Sequence, residues 1–191
     1  LCKSAVRLAR AANYYNAGTI EFLLEPNGKF YMLEMNTRIQ VEHPVTEMVT
    51  GRDLVQLQLR VAAGESLSLR QRDIQQQGVA IECRINAEDP AHDFRPSPGL
   101  IERFHLPGGP GVRVDTCAHA GMRISPRYDS MIAKLIVYKP NRAQAISTVK
   151  RCLDEFIVEP IKTTIPIHRE IFNHTHFLKG DVDTGFIERT W

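Results

Sequence analysis

Residues 21–36 read Glu-Phe-Leu-Leu-Glu-Pro-Asn-Gly-Lys-Phe-Tyr-Met-Leu-Glu-Met-Asn, EFLLEPNGKFYMLEMN. Two runs suited to strands, 19–25 and 29–35, flank Asn27-Gly28, one of the strongest local hairpin signals. A two-residue loop at Asn27-Gly28 pairs Pro26 with Lys29, Leu23 with Met32 and Glu21 with Glu34. Side-chain alternation then puts Glu21, Leu23, Met32 and Glu34 on one face, with Asn36 beside them. Ile20, Phe22, Leu24, Leu33 and Met35 fill the other face, which should be turned to a core.

Like charges directly across a sheet are destabilising. A cation between Glu21 and Glu34 removes the cost, and two carboxylates with an amide suit Mg²⁺ or Mn²⁺, which commonly share their shell with substrate phosphates. The competing readings are two solvated glutamates, or a one-residue bulge that turns them to opposite faces. The next segment, NTRIQVEHP, extends the pattern. As an extended chain it places Asn36, Arg38, Gln40 and Glu42 on one side, with Ile39 and Val41 as anchors on the other. An arginine fork can hold an anion bidentately, Gln40 can add a directed hydrogen bond, and Glu42 can accept a proton. His43, before a proline and with no second histidine at ligand spacing, reads as a structural contact.

Outward from the hairpin, residues 2–13 show helical periodicity, stopped by Asn16-Ala17-Gly18. Thr50-Gly-Arg-Asp53 reads as an N-cap with an acid at the third position, opening a helix that carries Leu54, Leu57 and Val61 and ends at Gly64. Residues 66–77 are polar and mark a connection. Beyond them VAIECRIN, LIERFHLP, GVRVDT and MIAKLIVY read as strands. Asn141 caps a helix bearing Ala145, Val149, Leu153 and Phe156, and a short helix near 166–173 precedes a strand-like end. His174-Thr-His176 reads as surface histidines. The class is α+β.

The composition is that of a globular chain of 191 residues, with a net charge of +2 from 24 Lys plus Arg against 22 Asp plus Glu. Nothing concentrates the positive charge, which argues against a nucleic-acid partner, and no apolar run reaches membrane-spanning length. Cys2, Cys83, Cys117 and Cys152 are widely spaced and read as free thiols of a reducing compartment. The uncapped start and abrupt end read as a segment of a longer protein.

At GTIEFLLEPNGKFYMLEMNTRIQVEHPVTEMVTG (18–51) the sequence resembles biotin carboxylase, an ATP-grasp enzyme. The likeness runs on through IECRINAEDP (81–90), PSPGLIERFHLPGG (96–109), RYDSMIAKL (127–135) and the terminal region. Its most specific part is EMNTRIQVEHPVTE, unbroken from Glu34 to Glu47. The resemblance implies the C-terminal part of an ATP-grasp domain (1–65, antiparallel sheet with helices), a connection (66–77) and a biotin carboxylase C-terminal α+β domain (78–191).

It also implies a reaction. MgATP and bicarbonate give ADP and carboxyphosphate, whose CO₂ carboxylates biotin on a carrier protein. Carried over residue by residue, Glu21 and Glu34 hold the Mg²⁺ or Mn²⁺ with Asn36 in support, Arg38 binds bicarbonate, Gln40 and the Val41 amide add contacts, and Glu42 is the base. Leu23 lies near the adenine pocket, Arg103 stabilises the biotin enolate and holds phosphate, and Asp129 lies near the biotin side. Implied partners are a biotin carboxyl carrier protein, a carboxyltransferase and a second copy of the parent, in the cytoplasm or an organelle. The acceptor expected first is acetyl-CoA, for fatty acid synthesis, then propionyl-CoA or pyruvate.

No GxGxxG or P-loop stands here in place of the family's glycine-rich phosphate lid, so the isolated chain is expected to lack ATP-dependent activity. The rival readings are a non-catalytic dimerisation or carrier-docking module, and a different ATP-grasp carboxylate ligase.

Overall fold

The computed structural model describes residues 1–191, and they divide into two compact units, Leu1–Gln76 and Gln77–Trp191. In the first, α1 (Cys2–Ala11) leads to the hairpin β1 (Thr19–Leu24) and β2 (Phe30–Asn36), then to α2 (His43–Thr50) and α3 (Leu54–Ala62). Within this unit only Pro44 and Glu47 are buried.

The hairpin differs from the expected one at its tip. Glu25 N–H donates to the Lys29 carbonyl (2.8 Å) and Gly28 N–H to the Glu25 carbonyl (2.9 Å), so the loop is Pro26-Asn27-Gly28. Proline suits the second position of such a turn, and the following left-handed residue is Gly28 at φ 85°. The tip is therefore displaced by one: Leu24 faces Phe30, Leu23 faces Tyr31 and Phe22 faces Met32, not the pairs Leu23–Met32 and Pro26–Lys29. A bulge then adds Leu33 between Phe22 and Glu21, the register moves by one again, and Glu21 lies opposite Glu34 and Thr19 opposite Asn36. The two displacements cancel at the acidic pair. The face expected to meet a core is only partly covered: Ile20, Phe22 and Met35 are half-buried, while Leu24 is 61% exposed and Leu33 58%.

The extended row also ends early. His43 N–H donates to the Gln40 carbonyl (3.2 Å), so the chain turns at Val41-Glu42 and enters α2 at His43, a helix not expected from the sequence. Gly51, left-handed, terminates α2. Thr50 is thus the last residue of one helix, and the cap of the next is Asp53, whose carboxylate accepts the Gln56 N–H at 2.7 Å. Buried Glu47 supports the same helix start by accepting the Leu54 N–H at 2.7 Å.

The second unit is built on an antiparallel sheet in the order β3 (Val79–Asn86), β10 (Met131–Lys139), β8 (Val112–Thr116). Around it lie short pairs: β4 (Glu88–Asp89) with β5 (Arg95–Pro96), β6 (Gly99–Leu100) with β9 (Arg123–Ile124), and β7 (Arg103–His105) with β11 (Ile157–Glu159). Period-two alternation sends Cys83, Ile85, Leu135 and Val137 into one core with Val149, Cys152 and Leu153 of α4 (Arg142–Glu155). Asn141 caps α4 through the Gln144 N–H at 3.0 Å. Helix α5 (Ile165–Asn173) adds Ile165 and Phe172. The chain ends in two short helices, α6 (Thr175–Lys179) and α7 (Phe186–Thr190), where a strand-like piece was expected. His174 precedes α6 and its ring stacks on that of His176, 5.5 Å between centroids. No helix is long and apolar enough to cross a membrane.

Candidate active site

The acidic pair is joined by one amide. Asn36 Nδ2 donates to Glu21 Oε1 at 2.9 Å and to Glu34 Oε1 at 3.2 Å. Gln40 Nε2 donates to the same Glu21 oxygen at 3.3 Å, and Arg38 Nη2 approaches Asn36 Oδ1 at 3.4 Å. Arg38 also folds back through Nη1 to the Ile39 carbonyl at 3.2 Å. Glu21, Glu34, Asn36, Arg38 and Gln40 therefore form one connected polar group, as the hairpin register requires. Gly18 permits this closeness, because a Cβ there would lie 3.0 Å from the Tyr14 ring and 3.2 Å from the Asn36 carbonyl oxygen.

Nowhere do three or more His, Cys, Asp or Glu side chains gather in a metal-binding cluster. A cation at this site would draw on two carboxylates and the Asn36 amide oxygen, with its other positions left to water or substrate oxygens. That donor set fits Mg²⁺ or Mn²⁺ and not a soft transition metal.

Arg38 and Gln40 of this group also border a cavity of about 330 Å³, which Glu21, Glu34 and Asn36 do not line. Arg38, Gln40, Glu42 and His43 line it. The expected alternation is modified, since Glu42 reaches the cavity from the turn before α2, and Ile39, expected on the far side, lines it too. Glu42 is exposed, and Val41 occupies the second position of the turn. Leu23 is 55% exposed on the hairpin.

In the second unit Arg103 is on a strand, at the surface. It stands on β7 directly across from Glu159 of β11, and its Nη1 donates to Glu159 Oε2 at 2.7 Å. The two side chains are 68% and 53% exposed. Arg103 is thus a solvent-exposed arginine paired with a carboxylate of the neighbouring strand. Asp129 is exposed and accepts the Met131 N–H at 2.8 Å, which fixes its own loop. Arg84, inside the IECRINAEDP motif, was not among the residues expected to act. It is an exposed arginine of β3, in register with Lys134, and its carbonyl accepts hydrogen bonds from Thr164 (3.1 Å) and His168 (2.9 Å).

The comparisons with known proteins give the class. Residues 1–70 match the ATP-binding domain of the carbamoyl-phosphate synthase L chain. Residues 82–189 match the biotin carboxylase C-terminal domain, and the chain belongs to that family. It is 55% identical, over 97% of its length, to biotin carboxylase from Nostoc sp. strain PCC 7120, and 54% identical, again over 97%, to biotin carboxylase 1 from Bacillus subtilis strain 168. The chain spans 42% and 41% of those relatives. A crystal structure of the Hydrogenobacter thermophilus 2-oxoglutarate carboxylase biotin carboxylase domain dimer, with MgADP, ADP and bicarbonate, superposes with a TM-score of 0.94 at 48% identity, over 97% of this chain and 41% of that one.

Proposed function

We propose that this chain supplies the metal and bicarbonate wall of a biotin carboxylase, which uses ATP and bicarbonate to carboxylate biotin on a carrier protein. The observation that carries the reading is the hydrogen-bonded group Glu34–Asn36–Glu21–Gln40, with Arg38 and Glu42 beside one cavity. Glu21, Glu34 and Asn36 would hold Mg²⁺ or Mn²⁺, which when bound supplies charge neutralisation for the nucleotide phosphates. Arg38 offers its fork to the two oxygens of bicarbonate, and Gln40 and the Val41 amide fix its orientation. Glu42 takes the bicarbonate proton as the oxygen attacks the γ-phosphorus. The bond to ADP breaks, and carboxyphosphate is formed.

The exposed apolar hairpin, with Leu23, Leu24, Tyr31, Met32 and Leu33 uncovered, is read as the seat for the rest of an ATP-binding domain. A carrier protein, a carboxyltransferase and a second copy are the proposed partners of the whole protein. Its relatives include carboxylases of pyruvate and 2-oxoglutarate, and acetyl-CoA is the acceptor proposed here.

Bicarbonate-dependent ATP turnover by the full-length protein tests the reading. Glu42→Gln should lower it by about 10²–10⁴-fold while Mn²⁺ binding is retained. The 191-residue chain alone should show none. Unchanged turnover in Glu42→Gln would exclude Glu42 as base. Parallel Arg84→Gln and Arg103→Gln variants, assayed for biotin carboxylation with ATP turnover as control, decide which second-unit arginine serves the acceptor.

A further inference from the structure

The Glu42-His43-Pro44 run contains one side chain that the proposed chemistry leaves unused. His43 Nδ1 lies 2.7 Å from the Gln40 carbonyl oxygen, and the His43 backbone N–H reaches the same oxygen at 3.2 Å. A carbonyl only accepts, so Nδ1 carries a proton, and in the neutral ring Nε2 holds the lone pair. One oxygen thus closes the turn twice. Glu42 occupies its third position with φ −84° and ψ 9°, the values of a type I turn. Gln40 begins it and sends its side chain to Glu21. The next residue is Pro44, which disfavours helical backbone at the position before it. The ring bond offsets that preference where the chain must turn into α2.

We propose that His43 is a positioning residue: its ring locks the turn that aims Gln40 and Glu42 into the cavity. The inference rests on the reading of that cavity as the bicarbonate site. The cation donors proposed above are Glu21, Glu34 and Asn36, and the Nδ1 of His43 is already engaged by the Gln40 carbonyl. His43 is half-buried and lines the same cavity as Gln40 and Glu42.

The first test uses the 191-residue chain. A long-range ¹H–¹⁵N correlation spectrum should show the Nδ1–H tautomer for His43, and the Nε2–H tautomer overturns the inference. The second uses the full-length protein. His43→Ala should raise the KM for bicarbonate by about five- to tenfold, as expected for losing one directed hydrogen bond and the order it imposes. The KM for ATP should stay within about twofold, since the lost interaction lies on the anion side. His43→Asn, whose amide can donate to the same carbonyl, should recover most of the loss. An unchanged bicarbonate KM in His43→Ala, or an Asn variant no better than Ala when both retain the parent circular dichroism, overturns the inference. If Arg38→Gln and Glu42→Gln leave turnover intact, the site reading falls and this inference with it. If those variants fail as expected and His43→Ala behaves as wild type, this inference alone is wrong.

Discussion

Replacing Glu34 by Gln should stabilise the hairpin when no divalent cation is present and destabilise it, relative to wild type, when one is. The magnitude follows from the bridging amide. Legs of 2.9 and 3.2 Å from one Asn36 nitrogen bring the two carboxylate oxygens within about 6 Å, where like charges repel by about 0.7 kcal/mol in bulk water and about 2.8 kcal/mol at an effective dielectric of about 20. Glu34 is exposed, so solvent screening puts the value near about 1 kcal/mol. The glutamine keeps an oxygen for Asn36, which leaves charge as the main change. In chelator-treated buffer, exchange of the hydrogen-bonded amides between β1 and β2 should slow about fivefold in the variant, the equivalent of that energy. The difference should shrink in 1 M KCl, where the Debye length is about 3 Å. At Mn²⁺ tenfold above its dissociation constant, wild type gains about 1.4 kcal/mol, and the variant, lacking one carboxylate, gains little. Faster exchange in metal-free Glu34→Gln, or equal protection of both proteins by Mn²⁺, would refute the reasoning.

Three further outcomes concern the core of the second unit and the four cysteines. Leu135 is fully buried on the central strand, so Leu135→Ala should cost about 2–5 kcal/mol. Trp191, the single tryptophan, reports it in a denaturant titration, and a loss below about 1 kcal/mol would contradict the packing. Burial first, then the negative charges of Glu82 and Cys152, push the Cys83 thiol up from 9.0 to about 12. Folding therefore favours the neutral thiol: the stability it contributes is complete below pH 9 and is lost as pH rises toward 12. Denaturation midpoints should fall across that window more steeply in wild type than in Cys83→Ala. At pH 8 a thiol reagent should modify exposed Cys2 and Cys117 quickly, and Cys83 and Cys152 only as the chain opens.

Strands β3, β8 and β10 and helix α4 were legible because their alternation and the Asn141 cap are local signals, whereas LIERFHLP, read as one strand, divides between β6 and β7, and the short β4, β5, β9 and β11 went unread. The site was legible for a mixed reason. Alternation from Glu34 through Asn36, Arg38 and Gln40 is local, and the structure keeps those residues together. Glu42 lines the same cavity as Arg38 and Gln40, but it arrives there through a turn that period-two reasoning cannot see. Helix α2 was missed because its first residue precedes a proline and its core contacts are few. Arg103 could not be judged from sequence, as its partner Glu159 comes from a strand 56 residues away. The terminal helices are short, and their aromatic cluster of His174, Phe186 and Trp191 holds them by tertiary contacts.

The acidic pair depends on an offset that loop chemistry alone does not supply. The three-residue loop sets one register near the tip, and the extra Leu33 restores the register that places Glu21 opposite Glu34. A one-residue slip reverses the face of a side chain, which makes two deletions discriminating. Deleting Leu33 removes the bulge, keeps Phe22 opposite Met32, and leaves Glu21 opposite Glu34. Deleting Met35 also removes the bulge and keeps both ends paired, but it sets Glu21 opposite Leu33 and Glu34 opposite Ile20, turning Glu34 to the other face. Both variants should form the hairpin, as judged by amide protection. Only the Leu33 deletion should retain Mn²⁺ binding, followed by electron paramagnetic resonance. Equal Mn²⁺ affinity in the two would show that the cross-strand pairing of the glutamates is not what makes the site.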